Sequence, residues 1–361
     1  MSQSLRPESV ITIETISVLP GPVELKPVVK KAFSNGPISH RSEEFLKKFS
    51  ETKKMLCEIV NAKNVEIVMG SGTLANDIVA GQLSLVDGEG LILSNGEFGD
   101  RLIDHAERIN LSFSTIRKKW GTSFDNNQIE AELKKNSNIR WIWMVHNETS
   151  TGMLNDLKGI GELCEKNNVL LNTDTISSVG TTEVDLSKVY LSTCVSGKGL
   201  ESLASLYMIF FNRYELKSDK SLPRYLDLSY YRSSDGVPFT ISSNLVMALD
   251  ASLSNLNLEN RFMQIKEHDH WLRSQLESIG YKILVKGENA IPSVLTVDLP
   301  VEVASVPIGD FVKANGFLLS YQSSYLINKN WVQICLMGNL SKPMLENLIG
   351  VMKKAYDKFI A

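Results

Sequence analysis

Two charged residues, Asp174 and Lys198, each follow an apolar run that is typical of a buried strand. Lys198 stands in a loop of small residues, 24 positions after Asp174. Because ligands of open α/β sheets bind beyond the carboxyl ends of the strands, the two side chains can meet in one crevice. A lysine amine can form a Schiff base with a cofactor carbonyl, and a carboxylate can keep a pyridine nitrogen protonated. This is the arrangement that the chemistry of pyridoxal phosphate needs.

The same two residues also have an ordinary interpretation. A solvated lysine in a loop and an aspartate that caps a helix are common, because both residue types usually lie at the protein surface. For Asp174 and Lys198 taken alone, this ordinary interpretation is the better one. The case for a cofactor site therefore depends on what the rest of the chain contributes to the same edge of the sheet.

A turn rich in glycine is a second candidate for ligand binding. Residues 65–69 are typical of a strand, and the turn 70–73 (Gly-Ser-Gly-Thr) leads from them into a helical pattern over residues 74–83. The start of such a helix presents unpaired backbone N–H groups and the positive end of the helix dipole to an anion. The context is consistent with a phosphate-binding turn, although Gly-Ser-Gly by itself is also compatible with an ordinary turn.

Several short segments, spread over most of the chain, resemble those of the class V aminotransferases in order and spacing. This group of fold-type I pyridoxal phosphate enzymes includes alanine–glyoxylate, serine–pyruvate and aminoethylphosphonate transaminases. Each segment alone is a weak signal, whereas their combination is specific. The segments are 19–23 (Leu-Pro-Gly-Pro-Val), 39–42 (Ser-His-Arg-Ser), 70–73 (Gly-Ser-Gly-Thr), 95–99 (Asn-Gly-Glu-Phe-Gly), 146–152 (His-Asn-Glu-Thr-Ser-Thr-Gly), Asp174 and 196–198 (Ser-Gly-Lys).

The resemblance implies roles for individual residues. Lys198 would carry the cofactor and act as general acid and base, while Asp174 would pair with the ring nitrogen. Phe98 would stack on the pyridine ring, although without the resemblance it would be interpreted as a core residue. Thr149 would lie near the phenolic oxygen of the cofactor. Thr240 would reach the cofactor phosphate of a neighbouring subunit, which implies a homodimer with shared active sites. The implied cofactor-binding residues are Gly72, Thr73, Phe98, Thr149, Asp174, Ser196, Lys198 and Thr240.

On the substrate side, the resemblance implies Gly21, Arg41, Arg232 and Gln333. Relatives that handle amino and keto acids carry an arginine at the position of Gln333, within a stretch that here reads Trp-Val-Gln-Ile-Cys-Leu-Met-Gly. Arginine grips a carboxylate with two charge-assisted bonds, whereas glutamine offers one neutral amide. We therefore expect an atypical substrate: an amine without the usual α-carboxylate, or an acid whose carboxylate meets Arg41 or Arg232. The alternative is an ordinary aminotransferase in which Gln333 works through a bridging water.

The length and the order of elements predict the fold class. A chain of 361 residues, 43% hydrophobic and 22% charged, is ordinary for a globular enzyme of about two domains. Strands that alternate with helices of roughly ten residues predict a doubly wound, mostly parallel α/β sheet. The expected organisation is an N-terminal arm over 1–18, a large cofactor-binding domain over 19–254 and a smaller α+β domain over 255–361.

Composition narrows the class of partner. The net charge of −3 comes from intermixed acids and bases, so neither nucleic acid nor a membrane is an expected partner. The four cysteines are far apart and are predicted to be reduced and mostly buried. No signal peptide or apolar run of about 18 residues is seen, which favours the cytoplasm. His146 and Glu148 lack further metal-ligand partners at suitable spacing, so no metal site is predicted.

The expected function is a pyridoxal-phosphate-dependent aminotransferase that moves an amino group from a small amine or amino acid to a small keto acid. A lyase or decarboxylase on the same scaffold is an alternative, because the cofactor weakens any bond at the substrate's Cα. A non-catalytic binding protein with the same fold is a third possibility, and the retained Lys198 and Asp174 argue against it.

Overall fold

The computed structural model describes residues 15–213 and 221–361, so most of the predicted arm (residues 1–14) lies outside the described residues. The strands are β1 (Ile16–Ser17), β2 (Asn64–Met69), β3 (Glu89–Ser94), β4 (Phe113–Arg117), β5 (Ile139–Val145), β6 (Asn147–Glu148), β7 (Met153–Leu154), β8 (Leu170–Asp174), β9 (Leu191–Val195), β10 (Leu206–Phe211), β11 (Lys282–Ile283), β12 (Val294–Asp298), β13 (Phe317–Leu318) and β14 (Trp331–Cys335). The helices are α1 (Pro27–Phe33), α2 (Glu43–Val60), α3 (Gly72–Leu83), α4 (Glu97–Arg108), α5 (Asn126–Lys135), α6 (Leu157–Lys166), α7 (Leu228–Arg232), α8 (Ser243–Ser254), α9 (Leu258–Ile279), α10 (Ser305–Ala314), α11 (Ser324–Lys329) and α12 (Lys342–Phe359).

A seven-stranded sheet forms the centre of the larger part of the molecule. Its strand order is β2-β10-β9-β8-β5-β3-β4, and β10 alone in this sheet runs antiparallel to its neighbours. The predicted mostly parallel α/β sheet is therefore confirmed. The carboxyl ends of β2, β3, β5, β8 and β9 lie at one edge, so the segments that follow these strands meet there.

The central strand β5 shows why these residues form a covered sheet. Trp141 and Trp143 point to one face, where they pack in a cluster with residues of α3 and α4. Ile142 and Met144 point to the other face, where they pack with residues of α2, α6 and α8. Because helices cover both faces, the strand is a nearly continuous apolar run without polar alternation.

Helix α2 illustrates how local sequence sets the helix bounds. Ser42 caps its start, with its hydroxyl oxygen accepting from the Phe45 N–H at 3.3 Å. Phe45, Phe49 and Leu56 recur on the buried face, as an amphipathic helix requires. The helix ends at Asn61, whose φ of 53° is left-handed. Across the described ranges, none of the helices has both the length and the apolar character needed to span a bilayer.

A second core lies in the C-terminal part. The antiparallel sheet β11-β12-β14 packs against α9, α10 and α12. Val18 joins this core, because β1 pairs in parallel with β13. Strand β13 has only two residues, and Ser320 beyond it forms an isolated bridge with Gln333. The predicted domain boundaries at residues 18 and 254 stay predictions.

A buried ion pair secures the loop after β9. The Arg261 guanidinium contacts the Glu201 carboxylate and also donates to the carbonyl of Gly180 at 2.6 Å. Lys26 Nζ lies 2.8 Å from the other carboxylate oxygen of Glu201. The Glu201 N–H in turn donates to the carbonyl of Lys198 at 2.9 Å. The ion pair therefore fixes the backbone that carries Lys198.

We predict that Arg261→Met lowers the free energy of unfolding by about 3 kcal/mol, because it leaves the buried Glu201 carboxylate with only the half-buried Lys26. Urea denaturation followed by circular dichroism measures the change. The control is Arg108→Met, whose ion pair with Asp104 is exposed, so its loss should leave the free energy of unfolding almost unchanged. Equal effects of the two substitutions would contradict the structural role of Arg261.

Candidate active site

A cavity of about 290 Å³ opens at the carboxyl edge of the seven-stranded sheet. The segments that follow β5, β8 and β9 form its walls together with the first turns of α3 and α4. The sequence motifs that ended separate strands therefore meet in one place. The predicted site residues that line the cavity are Gly21, Gly72, Thr73, Phe98, Thr149, Asp174 and Lys198.

Asp174 is the last residue of β8 and its side chain is buried, with 5% of its surface exposed. One carboxylate oxygen accepts from Asn76 Nδ2 and the other from the Ile176 N–H, both at 2.9 Å. Burial raises the pKa of Asp174, while these donors and the nearby Lys198 oppose the rise. A charged carboxylate is costly in such surroundings, and a cation within the cavity would offset that cost.

Lys198 approaches the same cavity from the loop after β9. Its Nζ donates to Ser177 Oγ at 2.9 Å and lies 5.8 Å from the ring centroid of Phe98. Burial lowers the pKa of Lys198, and the Asp174 carboxylate opposes this effect. The surroundings therefore favour the neutral amine, which is the nucleophilic form of lysine.

Gly21 closes the cavity behind Lys198. Its φ of +142° lies in a region that side chains rarely adopt, and a Cβ atom there would stand 3.0 Å from Lys198 Cγ. The carbonyl oxygen of Gly197 would be 3.1 Å away. Position 21 therefore requires glycine both for its backbone conformation and for its close approach to the lysine.

A hydroxyl group links three of the cavity's walls. Ser177 Oγ accepts from Lys198 Nζ and also from Thr149 Oγ1, the latter at 2.6 Å. Thr149 follows β5, Ser177 follows β8 and Lys198 follows β9. Sequence reasoning did not select Ser177, although a hydroxyl residue three positions after a strand-ending aspartate is a detectable signal.

The first turn of α3 faces the cavity without a side-chain cap. Ser71 occupies the N-cap position, and its hydroxyl does not bond the helix backbone. Gly72 begins the helix, and a Cβ atom there would lie 3.2 Å from Ile176 Cδ1. A small residue is therefore favoured at Gly72, and the helix start can receive an anion.

The first turn of α4 is capped by a carboxylate instead. Glu148 is fully buried, and its oxygens accept from the N–H groups of Phe98 at 3.3 Å, Gly99 at 2.9 Å and Ser150 at 3.1 Å. The Ser150 hydroxyl adds a fourth bond at 2.5 Å. Burial raises the pKa of Glu148 to about 7, and these donors oppose the rise. Glu148 therefore fixes the backbone of Phe98 at the cavity wall.

Five predicted site residues, Gln333 among them, do not line the cavity. Ser196 is buried, and its hydroxyl donates to the carbonyls of Leu203 and, at 3.2 Å, Leu206. Its role is thus within the loop after β9. Thr240, Arg41 and Arg232 lie at the surface, away from the cavity-lining residues.

Gln333 also lies outside the cavity lining. It is fully buried in β14, and its Nε2 donates to the carbonyls of Thr149 at 2.6 Å and Ser150 at 3.1 Å and to Thr296 Oγ1 at 2.8 Å. Its Oε1 accepts from the Tyr325 hydroxyl at 3.1 Å. Every N–H of the amide is committed to the protein. Gln333 therefore joins β14 to the segment after β5 by hydrogen bonds.

Further residues line the cavity that sequence reasoning did not select as site residues. Helical spacing offers the signal for most of them, because residues three or four apart share one face of a helix. On α4 this places Arg101 and His105 beside Phe98, and on α3 it places Asn76 beside Gly72. The unselected lining residues with polar side chains are Asn76, Arg101, His105, Asn147, Ser177 and Tyr207.

Comparison with known families decides the class of protein. The profile of the family described as Aminotransferase class-V matches residues 26–197, a stretch that contains α3, α4 and Asp174. Over this stretch the chain is similar to the class V aminotransferases. The resemblance stated from the sequence motifs is confirmed, and the protein is a pyridoxal-phosphate-dependent aminotransferase.

Individual relatives agree with this assignment. A bifunctional phosphonoacetaldehyde hydrolase/aminoethylphosphonate transaminase of Clostridioides difficile (strain 630) is 29% identical over 308 residues, which cover 81% of this chain and 48% of that protein. The alanine–glyoxylate aminotransferase of Mus musculus is 28% identical over 301 residues, or 78% of this chain and 72% of the relative. The structure of an alanine–glyoxylate aminotransferase from Nostoc sp. superposes with a TM-score of 0.85 at 27% identity, covering 97% of both chains. The fold is that of the fold-type I pyridoxal phosphate enzymes.

The residues of this aminotransferase fit pyridoxal phosphate. The buried Asp174 carboxylate would hold the protonated ring nitrogen, and the uncapped start of α3 at Gly72 and Thr73 would hold the phosphate. Phe98 would cover one face of the ring, and Lys198 would bind the aldehyde carbon. When bound, the cofactor supplies an electron sink for charge that develops at the substrate's Cα.

We predict that Lys198→Ala abolishes the borohydride-reducible link to pyridoxal phosphate, because it removes the amine at the cavity. Mass spectrometry of reduced, digested protein locates the pyridoxyl group. Lys158→Ala is the matched control, since Lys158 lines a separate cleft, and it should keep the label. A pyridoxyl mass on any lysine other than Lys198 in the wild type would refute the assignment.

We predict that the apo-protein binds pyridoxal phosphate faster as the pH rises, with a midpoint below the ordinary lysine pKa of about 10.4, because burial lowers the pKa of Lys198. Asp174→Asn removes the charge that holds this pKa up, so its midpoint should move to lower pH. Stopped-flow absorbance measures both midpoints, with Asp125→Asn, a cap of α5, as the unshifted control. A midpoint that moves to higher pH in Asp174→Asn would contradict the electrostatic coupling.

Proposed function

We propose that this aminotransferase takes the amino group of a small amine without the usual α-carboxylate and transfers it to a small keto acid. The supporting observation is the bonding of Gln333, whose amide hydrogens all go to Thr149, Ser150 and Thr296. A substrate carboxylate finds neither charge nor a spare N–H at this position. Leaving a buried carboxylate without its partner costs a few kcal/mol, about the range for charged groups that lose a hydrogen bond.

In this proposal two residues perform the chemistry. Lys198 Nζ is the covalent anchor and moves the proton at the substrate's Cα as general acid and base. Its position beside Ser177 and the lowered pKa support this role. Asp174 holds positive charge on the ring nitrogen. Its carboxylate is oriented before any substrate arrives, because it accepts from the Asn76 side chain and from the Ile176 N–H.

The names of relatives support the two halves of the proposal. One relative is named an aminoethylphosphonate transaminase, and the amine-bearing carbon of that substrate has no acid group, because its phosphonate is attached one carbon further away. Others are named for glyoxylate, a small keto acid that would suit the modest volume of this cavity. We therefore place the amino donor among small amines with a terminal anionic group and the acceptor among two- or three-carbon keto acids.

The same proposal includes a homodimer with shared active sites. Thr240 is exposed and lies in a surface hollow beside Met69, Tyr225 and Phe239. Met69 and Tyr225 are 37% and 50% exposed, and Tyr225 stacks on Phe239 at 4.2 Å between ring centroids. An apolar surface of this kind favours contact with another protein chain. A second copy seated there would bring Thr240 to the neighbouring cofactor phosphate.

We predict that 2-aminoethylphosphonate converts the loaded enzyme to its pyridoxamine form more efficiently than alanine or serine does. Absorbance spectroscopy follows the conversion, and assays for ammonia and CO₂ distinguish transfer from lyase or decarboxylase activity. Ordinary kcat/KM values for alanine or serine would refute the proposed donor class. Stoichiometric release of ammonia or CO₂ would refute transfer.

In the same assay, Gln333→Leu tests whether Gln333 only holds two segments of the protein together or also binds the substrate. The substitution leaves the Thr149 and Ser150 carbonyls without a donor, so the free energy of unfolding should fall by about 1–3 kcal/mol. Its kcat/KM should fall by the same factor for amines with and without an α-carboxylate. A loss confined to α-amino acids would show that position 333 contacts the substrate after all.

A further inference from the structure

We propose that Arg101 is the anion-binding residue of this active site. It would hold the carboxylate of the keto acid and the terminal carboxylate or phosphonate of the amine. This inference rests on the proposed function, because it names the group that recognises the substrates of that same site. Without an arginine at position 333, an anionic substrate needs another cation at the cavity, and α4 supplies one.

An anion-binding residue must line the cavity, and Arg101 does. Arg101 follows Phe98 by one helical turn on α4, and its Cζ lies 4.9 Å from the Phe98 ring centroid. Lys198 Nζ lies 5.8 Å from the same centroid and lines the same cavity. In this proposal a small substrate places its reacting carbon at Lys198 and its anionic group at Arg101.

An anion-binding residue must also have N–H groups available, and the bonding of Arg101 leaves such groups. Its Nε donates to Glu97 Oε1 at 3.0 Å, which orients the plane of the guanidinium. Within residues 15–213 and 221–361, its two terminal nitrogens have no hydrogen-bond partner. These nitrogens form the side of the guanidinium that grips a carboxylate or phosphonate with two parallel bonds. Arg101 is therefore oriented and still has capacity for an anion.

The other cationic groups near the cavity are already engaged or distant. His105 Nδ1 lies 2.6 Å from the Asp77 carboxylate, which neutralises any charge that it carries. Arg41 and Arg232 do not line the cavity of their own protomer. Lys198 is reserved for the cofactor. Among the described residues that line this cavity, Arg101 is thus the one guanidinium.

Arg108 provides a matched control on the same helix. Its Nε donates to Asp104 at 2.7 Å, the same i, i+4 pattern that joins Arg101 to Glu97. Arg108 does not line the cavity, and its side chain is 70% exposed. If Arg101 served only as a surface ion pair, the loss of either arginine would have the same consequence. A difference between the effects of the two substitutions therefore reflects the position of Arg101 at the cavity.

The experiment compares loaded wild type, Arg101→Gln, Arg101→Lys and Arg108→Gln in the half-reaction with amines. The probes are 2-aminoethylphosphonate and β-alanine, which carry a terminal anionic group (the anionic amines), and propylamine, which is of similar length and ends in an uncharged methyl group (the neutral amine). Arg101→Gln should lower kcat/KM for the anionic amines by about ten- to hundredfold, because it removes charge-assisted bonds. Propylamine should keep its rate, Arg101→Lys should recover part of the loss, and Arg108→Gln should match the wild type.

A binding measurement keeps this test separate from turnover. Calorimetric titration of the loaded protein with methylphosphonate and with propionate should show binding to the wild type and to Arg108→Gln, and none to Arg101→Gln. Equal losses for anionic and neutral amines, loss of cofactor in Arg101→Gln, or no binding of either anion to the wild type would each overturn the role. If no amine converts the wild type while anions bind through Arg101, the proposed function fails and the anion site stands.

Discussion

The buried segment from Glu148 to Ser150 joins the parts of the molecule on which the active site depends. The Glu148 carboxylate caps α4 and thereby positions Phe98. The Thr149 hydroxyl bonds Ser177, which also receives Lys198. The carbonyls of Thr149 and Ser150 accept from Gln333 of the C-terminal sheet. Because the bonds of this segment reach α4, the loop after β8 and the C-terminal sheet, displacing it would disturb Phe98, the lysine and the second core together.

Two buried carboxylates at this site are used in opposite ways. Burial raises the pKa of both Glu148 and Asp174. Glu148 receives four donors from its surroundings and has no surface toward the cavity, so it is a structural cap at a helix start. Asp174 receives two donors and lines the cavity, so part of its hydrogen-bonding capacity remains for a ligand. Residue type alone does not distinguish these two outcomes.

The sequence predicts the sheet and the meeting point of its loops well, because apolar runs such as 139–145 must be covered on both faces. Asp174 and Lys198 follow directly from this topology. The role of Gln333 does not, since a strand residue can point to either side and only packing decides which partner its amide meets. The surroundings of Ser196 do not follow from the sequence either, because its hydroxyl bonds the loop that follows it and does not line the cavity. The role of Ser177 is also hard to predict, because its hydroxyl bonds Thr149 and Lys198, which lie in two other loops far away in the sequence.

The N-terminal segment mechanically couples the C-terminal core to the lysine. Residues Ile16–Ser17 pair with β13, and the Val18 carbonyl accepts from the Cys335 N–H at 2.9 Å, so this stretch is part of the C-terminal core. Three residues further on, Gly21 stands against the aliphatic stem of Lys198. A connection of three residues allows little independent movement of its two ends. Any rotation of the C-terminal core relative to the large sheet must therefore move the wall behind the lysine, and the rear of the active site follows the movement of a distant core.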